Sequence, residues 1–443
     1  MKNGISQQVM HSSRNGCALH GAVKTLNAIG GIVPIVHSSA GCSIFSGLQE
    51  NLPDGSNGLH YRGYMETPAT AITEKQVIFG GAARLREQIK NTVKVMAGDL
   101  YVVVTGCAPE LVGDDTPAMV REAQEQGFPV IAVSAPGFKG SVYRGYEWTL
   151  KALIDHVSSA TPLPPLPGDD RLVNILGIVP KQDVLWEGNL QAIGRLLAMA
   201  GWRGNRLFGF DASLDDWRRI PAAALNLVLS PWGLPAARIL EERFGTPYLY
   251  WGYIPVGEKD TSALLRELAA RLPADGGRRL ESIFQTERKR LDYQLQKLAQ
   301  LYIRMDFQKE TALVGETSGV AGISRFLQED FGQCVTQVIL TDHPDEALRP
   351  EILKALNGHR PVEALFSSDG KTTGERLLEV QPEAILGSDL EQDMADERSI
   401  PLLKISSPVR DRAFLEHTYC GYSGAINLLQ DFSEMILKHE ADW

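Results

Sequence analysis

Short β-branched runs alternate with amphipathic segments along almost the whole chain, and this alternation restricts the fold more than any other feature. The runs include "IVPIVH" (Ile32–His37), "LYVVVT" (Leu100–Thr105), "RLVNILGIV" (Arg171–Val179), "LNLVLS" (Leu225–Ser230) and "TALVGE" (Thr311–Glu316), followed by "QVILTD", "EALFSS", "EAILGS" and "IPLLKIS". They are apolar throughout rather than apolar at every second residue, as expected of strands covered by helices on both faces. The segments between them are long enough for helical crossovers, which makes the sheets mostly parallel. At 443 residues the chain exceeds one ordinary core.

The expected fold class is therefore α/β, with three doubly wound, Rossmann-like parallel-sheet domains around a central cleft. The first block, residues 1–165, ends in the Pro-rich linker "SSATPLPPLPGDD" (Ser158–Asp170). The second, 170–305, closes on a long charged helix spanning Arg279–Met305. The third, 306–443, finishes on a helix expected from about Ala425. Open parallel sheets bind ligands at the carboxyl ends of their strands.

Charge and composition remove several function classes. A net charge of −10 argues against nucleic acid. No apolar run approaches the roughly 20 residues of a membrane helix, and the polar start "MKNGISQQVMHSS" lacks a secretory signal. A cytoplasmic location is expected, where the five cysteines would be free thiols.

Three of those cysteines, Cys17, Cys42 and Cys107, directly follow glycines, and two lie just past strand ends. Taken singly, a cysteine is most often a small core residue. Jointly, the Gly-Cys pairs suit ligands of an iron–sulfur group, because a preceding glycine lets backbone amides approach the sulfur and tune its potential. Cys17 also opens a helix, which favours thiolate. Structural zinc would ask for close Cys pairs, and none exists. Three thiolates leave a common cluster incomplete, so a half-site closed by another chain is expected.

The motifs "VHSSAGC", "VIFGG", "TGCAPELVGDD" and "APGFKGSVYRGYE", with "LNLVLSPWGLPAARILEERFGTPYL" and "PVRDRAFLEHTYCGYSGAINLL" further on, resemble the nitrogenase component 1 family and its β-type subunits. The resemblance implies that Cys17, Cys42 and Cys107 hold half of an 8Fe-7S P-cluster shared with an α/D-type partner in an α2β2 assembly. It implies that Ser141 is the serine able to ligate the oxidised cluster; a hydroxyl capping a helix is the plainer alternative. Phe79 matches the exposed aromatic of the docking face for an iron protein, a reductase with a 4Fe-4S cluster that alone uses MgATP. The residues themselves would place Phe79 in a core. Glu110 and Asp114 follow the family pattern, or cap the next helix. No G-x-x-x-x-G-K-[ST] loop occurs, and the glycine-rich "VGETSGVAG" (Val314–Gly322) is weak evidence for nucleotide.

The family's α-type subunits bind an iron–sulfur active-site cofactor through a second-block cysteine and a C-terminal histidine. The corresponding second-block segment here has no cysteine, and the tail offers only His417 and Cys420, both expected to be structural. No residue of this chain is therefore expected to be catalytic. "HSSAGC" and "ENLPDGSNGLHYRGYMETPAT" depart from the usual nitrogenase forms, and Cys17 comes early in the chain. Within the family these departures resemble methylthio-alkane reductases, which cleave C–S bonds to release methanethiol and a hydrocarbon. A dinitrogen-reducing β subunit and a cofactor-assembly scaffold are the alternatives.

Overall fold

The computed structural model describes residues 10–43, 67–159, 169–272, 277–304, 307–356 and 362–441. Most of the Pro-rich linker and most of "ENLPDGSNGLHYRGYMETPAT" lie outside the described residues. Among the described residues, twelve strands form three sheets whose pairings are all parallel.

The first sheet has the order β1–β2–β3: β1 (Ile32–His37), β2 (Leu100–Thr105) and β3 (Val130–Ser134). All residues of β1 and β2 are buried, and the pleat divides them between two cores. Ile32, Val36, Leu100, Val102 and Val104 face one apolar cluster, while Val33, Ile35, Tyr101 and Val103 face another. This period-2 division explains why the runs are continuously apolar.

The second sheet is ordered β5–β4–β6–β7: β4 (Leu172–Leu176), β5 (Arg203–Asn205), β6 (Leu225–Val228) and β7 (Tyr248–Tyr250). The third is ordered β10–β9–β8–β11–β12: β8 (Glu310–Gly315), β9 (Cys334–Leu340), β10 (Glu363–Phe366), β11 (Ala384–Gly387) and β12 (Leu402–Lys404). Both reverse direction beside their first strand, as doubly wound sheets do. The long charged helix covers Gly277–Arg304, close to its expected span. The C-terminal helix covers Gly421–Ala441, starting four residues before the expected Ala425.

Two helices carry the first cysteine. Helix α1 (Ala18–Asn27) packs along a later helix, Val142–Ser159. Their backbones touch because each contributes a glycine. A Cβ at Gly21 would lie 1.9 Å from the Val142 carbonyl oxygen, and one at Gly145 would lie 2.0 Å from that of Ala18. Nothing larger fits, so these glycines fix the height of α1 and with it the place of Cys17.

The three sheets are tied at one junction. Tyr143 stacks on Trp232 at 5.1 Å between ring centroids, and Trp232 Nε1 donates to Asp342 Oδ2 at 2.8 Å. Asp342 follows β9, so one chain of contacts runs from the first block to the third.

Candidate metal centre

Cys17 precedes α1 at its N-cap and uses no side-chain cap bond, leaving the thiol at a positive helix end. Cys42 sits in a helical turn at residues 40–43, after β1. Cys107 is the first residue of the short helix α2 (Cys107–Val112), which follows β2 after Gly106. Parallel neighbours β1 and β2 end at the same level, His37 opposite Thr105, so their loops open side by side.

The loop after β3 closes the group. Gly137 N donates to Cys107 Sγ at 3.1 Å. A Cβ at Gly137 would lie 2.8 Å from Cys17 Cβ, 3.2 Å from Cys17 Sγ and 3.5 Å from Cys107 Sγ. Both sulfurs therefore flank one glycine whose missing side chain leaves room for them. Cys42 Sγ accepts a hydrogen bond from Ser38 Oγ at 3.2 Å and lies 3.4 Å from Ser39 Oγ. Ser38 in turn packs on Gly106, where a Cβ would meet its Oγ at 2.4 Å. Ser141 pairs with Cys17 across a backbone bridge, framed by Ala18 N to Gly140 O and Val142 N to Gly16 O, both 2.9 Å.

These residues fit an iron–sulfur group. The donors are soft thiols, all partly exposed, and amide and hydroxyl groups already point at two of the sulfurs, the kind of contact that tunes a cluster. Among the described residues, no three His, Cys, Asp or Glu side chains converge on a single ion.

Two histidines missed by the sequence reading complete the surroundings. His20 lies one helical turn after Cys17, with Nδ1 3.6 Å from Cys17 Sγ and Nε2 3.3 Å from the Cys42 carbonyl oxygen. Burial lowers its pKa, the Cys42 hydrogen bond opposes that, and Lys24 adds to the lowering. A histidine three residues after a helix-opening Cys was the available signal. His37, fully buried, places Nε2 3.2 Å from Asp114 Oδ2, and its Nδ1 lies 3.1 Å from Thr70 Oγ1. Burial lowers its pKa while Asp114 pulls the other way.

Phe79 corrects the residue-level expectation of a core position. It ends a one-turn helix, Glu74–Phe79, that has no buried residue, and it is 81% exposed. Val77 and Ile78 are exposed beside it, as are Leu111 and Val112 on the neighbouring α2. The helix is held at its end by Asp114, whose Oδ1 accepts from Gly81 N at 2.7 Å. A helix-capping role falls to Asp115 instead, which accepts from Ala118 N. Glu110 accepts from Ser134 Oγ at 2.9 Å and from Lys139 Nζ. The Lys139 hydrogen bond holds its carboxyl below the usual range.

The tail residues have structural partners. Asp431 Oδ2 receives Arg412 Nη2 and Tyr419 OH, each at 2.7 Å, and lies 2.9 Å from His417 Nε2. Burial opposes ionisation of Asp431, but these partners hold it at about 2. Cys420 is wholly buried, and burial raises its thiol pKa. In the glycine-rich turn after β8, the amides of Ser318 and Gly319 donate to the Glu316 carboxylate. A phosphate would have to displace it. Asp342 is buried, with Glu316 and Asp183 half-buried near it, and desolvation raises all three, Asp183 to about 6.

A model of nitrogenase component 1 type oxidoreductases matches residues 17–437, and the chain belongs to that family. It is 27% identical to the nitrogenase molybdenum-iron protein beta chain of Methanothermobacter marburgensis, over 95% of this chain and 93% of the relative. It is also 27% identical to the nitrogenase iron-molybdenum cofactor biosynthesis protein NifE of a Nostoc species, over 96% and 84%. The solved structure of nitrogenase Cp1 at pH 6.5 superposes with a TM-score of 0.77 at 18% identity, covering 99% of this chain and 95% of that one. That likeness concerns the fold. The chain is a β-like subunit of nitrogenase component 1 type, and no helix among the described residues is long and apolar enough to cross a membrane.

Proposed function

We propose that this chain is the electron-relaying β-type subunit of a nitrogenase-like reductase. In this reading Cys17, Cys42 and Cys107 supply one half of an interfacial P-cluster, and an α/D-type partner supplies the other half together with the substrate-reducing cofactor. The observation that carries the reading is that the Cys17 and Cys107 sulfurs flank Gly137 while His20 links Cys17 to the Cys42 carbonyl. An exposed apolar patch, Val77–Phe79 with Leu111 and Val112, lies on the helix that begins at Cys107 and on its neighbour. Such a patch on a monomer marks a docking surface, here for the ATP-hydrolysing iron protein.

When bound, the cluster supplies one-electron storage and transfer. The chain's own residues hold and shield it. The Gly137 amide and the Ser38 hydroxyl stabilise negative charge on Cys107 and Cys42, and the α1 terminus does so at Cys17. Ser141, beside Cys17, is positioned to approach the same group.

The substrate class proposed is methylthio-alkanes. Their carbon–sulfur bond would be broken with two electrons and two protons, giving methanethiol and a hydrocarbon. The departures in "HSSAGC" and in the segment after it support that choice over dinitrogen. Similarity to both a beta chain and a cofactor-assembly protein keeps a scaffold as the second reading.

The test is the complex co-purified anaerobically with its α-type partner, then supplied with iron protein, ATP and reductant. Iron in the complex and methanethiol from a methylthio-alkane are expected. Ammonia from dinitrogen without methanethiol would replace the substrate assignment. An inert complex that donates its cluster to an apo-enzyme would make the chain a scaffold. Near-zero iron would end the metal-centre reading.

A further inference from the structure

The His20 side chain touches two of the three thiol loops, and the family reading leaves it without a task. The Cys42 carbonyl can only accept a hydrogen bond, so the His20 Nε2 that faces it at 3.3 Å carries the proton. In the neutral ring Nδ1 then holds a lone pair, and that lone pair faces Cys17 Sγ at 3.6 Å. With a thiol the contact is satisfied, because S–H donates to Nδ1. Once Cys17 is a metal-bound thiolate no such proton remains, and two electron-pair donors face each other.

We propose that His20 Nδ1 is an additional donor to the metal group held by Cys17, Cys42 and Cys107. The inference rests on the metal-centre reading above. Three features support it. A ligating histidine typically donates its other ring N–H to a backbone carbonyl or carboxylate, as His20 does here. Bond lengths of about 2.3 Å to sulfur and about 2.0 Å to nitrogen place two donors of one tetrahedral ion about 3.5 Å apart, and the observed separation is 3.6 Å. The ring is also buried, so Nδ1 competes with little water for that position. Cys17 and His20 share one face of α1, held in place by the Gly21 and Gly145 backbone contacts. The pair alone does not complete a site, and the remaining coordination would come from the cluster's own sulfides.

The experiment uses the anaerobically purified holo-complex with its partner, in reduced and in oxidised form. Its structure is determined in both states, and pulsed electron paramagnetic resonance is recorded with isotope-labelled histidine. Iron within bonding distance of Nδ1 in at least one state is expected, with a nitrogen coupling that changes with the label. His20→Leu should abolish that coupling while iron content stays near the wild-type level. If His20→Leu fails to assemble, the wild-type structures decide alone. Full iron with Nδ1 still on Cys17 sulfur and no iron neighbour in either state would overturn the proposal and leave the metal centre standing. A complex without iron would remove the metal centre itself, a different failure.

Discussion

Cys17, Cys42 and Cys107 stand in an environment opposite to that of Cys420. The first three are partly exposed, lie past glycines, and receive or adjoin amide and hydroxyl donors. Cys420 is 2% exposed, and burial raises its thiol pKa. The same side chain is thus open and bordered by donors in one region and packed away in the other. Loops after β1 and β2 and the start of α1 leave their sulfurs partly open, whereas Cys420, just before the C-terminal helix, is buried. The fastening differs as well: backbone contact through Gly21 and Gly145 sets the Cys17 loop, while side chains converging on Asp431 hold the tail.

The largest effect should separate the two kinds of cysteine. Cys17→Ala, Cys42→Ala and Cys107→Ala should each remove most of the iron and the electron-accepting activity. Cys420→Ala should keep the iron and cost about 2 kcal/mol or less in stability; iron analysis beside a thermal melt reads both. Next, Gly145→Ala places a Cβ 2.0 Å from a backbone oxygen and should destabilise by about 3 kcal/mol or more, with displacement of Cys17. Denaturant unfolding of the isolated chain measures it, and an unchanged midpoint would contradict the backbone fastening.

Phe79→Ala should leave the melting curve unmoved, since the ring is exposed, yet slow electron delivery from the iron protein about tenfold, as loss of an interface anchor worth about 1.4 kcal/mol would. Stopped-flow reduction tests this. Asp431→Asn should cost about 1–2 kcal/mol at neutral pH. Because the folded-state pKa of Asp431 is depressed to about 2, its contribution is present above the ordinary carboxylate value near 4. It is lost as pH falls through 2, so mutant and wild type should converge in acid.

Asp183→Asn should have an effect of similar size and the opposite sign. Burial raises Asp183 to about 6, so in the wild type stability falls as pH rises from about 4 to 6 and stays reduced above. The variant should gain on the order of 1–2 kcal/mol at pH 8 and nothing below pH 4. A pH series of melts that shows no such divergence would refute the buried-carboxylate account.

The strands were legible because parallel sheets covered on both faces need β-branched residues on both, as in "IVPIVH" and "LYVVVT". The Gly-Cys pairs pointed to a metal group because ligand chemistry requires thiols where the backbone can come close. The exposure of Phe79 was implied by the family resemblance and was not legible in the local pattern. "EKQVIF" ends in an apolar run that suits a core helix, and among the described residues nothing buries it. His20 was hidden for a related reason, since a histidine on an apolar helix face usually packs, and its second contact, with the Cys42 carbonyl, lies across a turn the local sequence does not encode.

By itself, then, the sequence determined the parallel α/β layering and which residue types could bind metal, because both follow from local pattern and side-chain chemistry. Only the tertiary structure decided that Cys17 and Cys107 meet at Gly137, that His20 reaches from Cys17 to the Cys42 loop and that Cys420 is sealed in. Those outcomes depend on the order of strands and the closeness of helices, and a contact between residues far apart in the chain has no local signature.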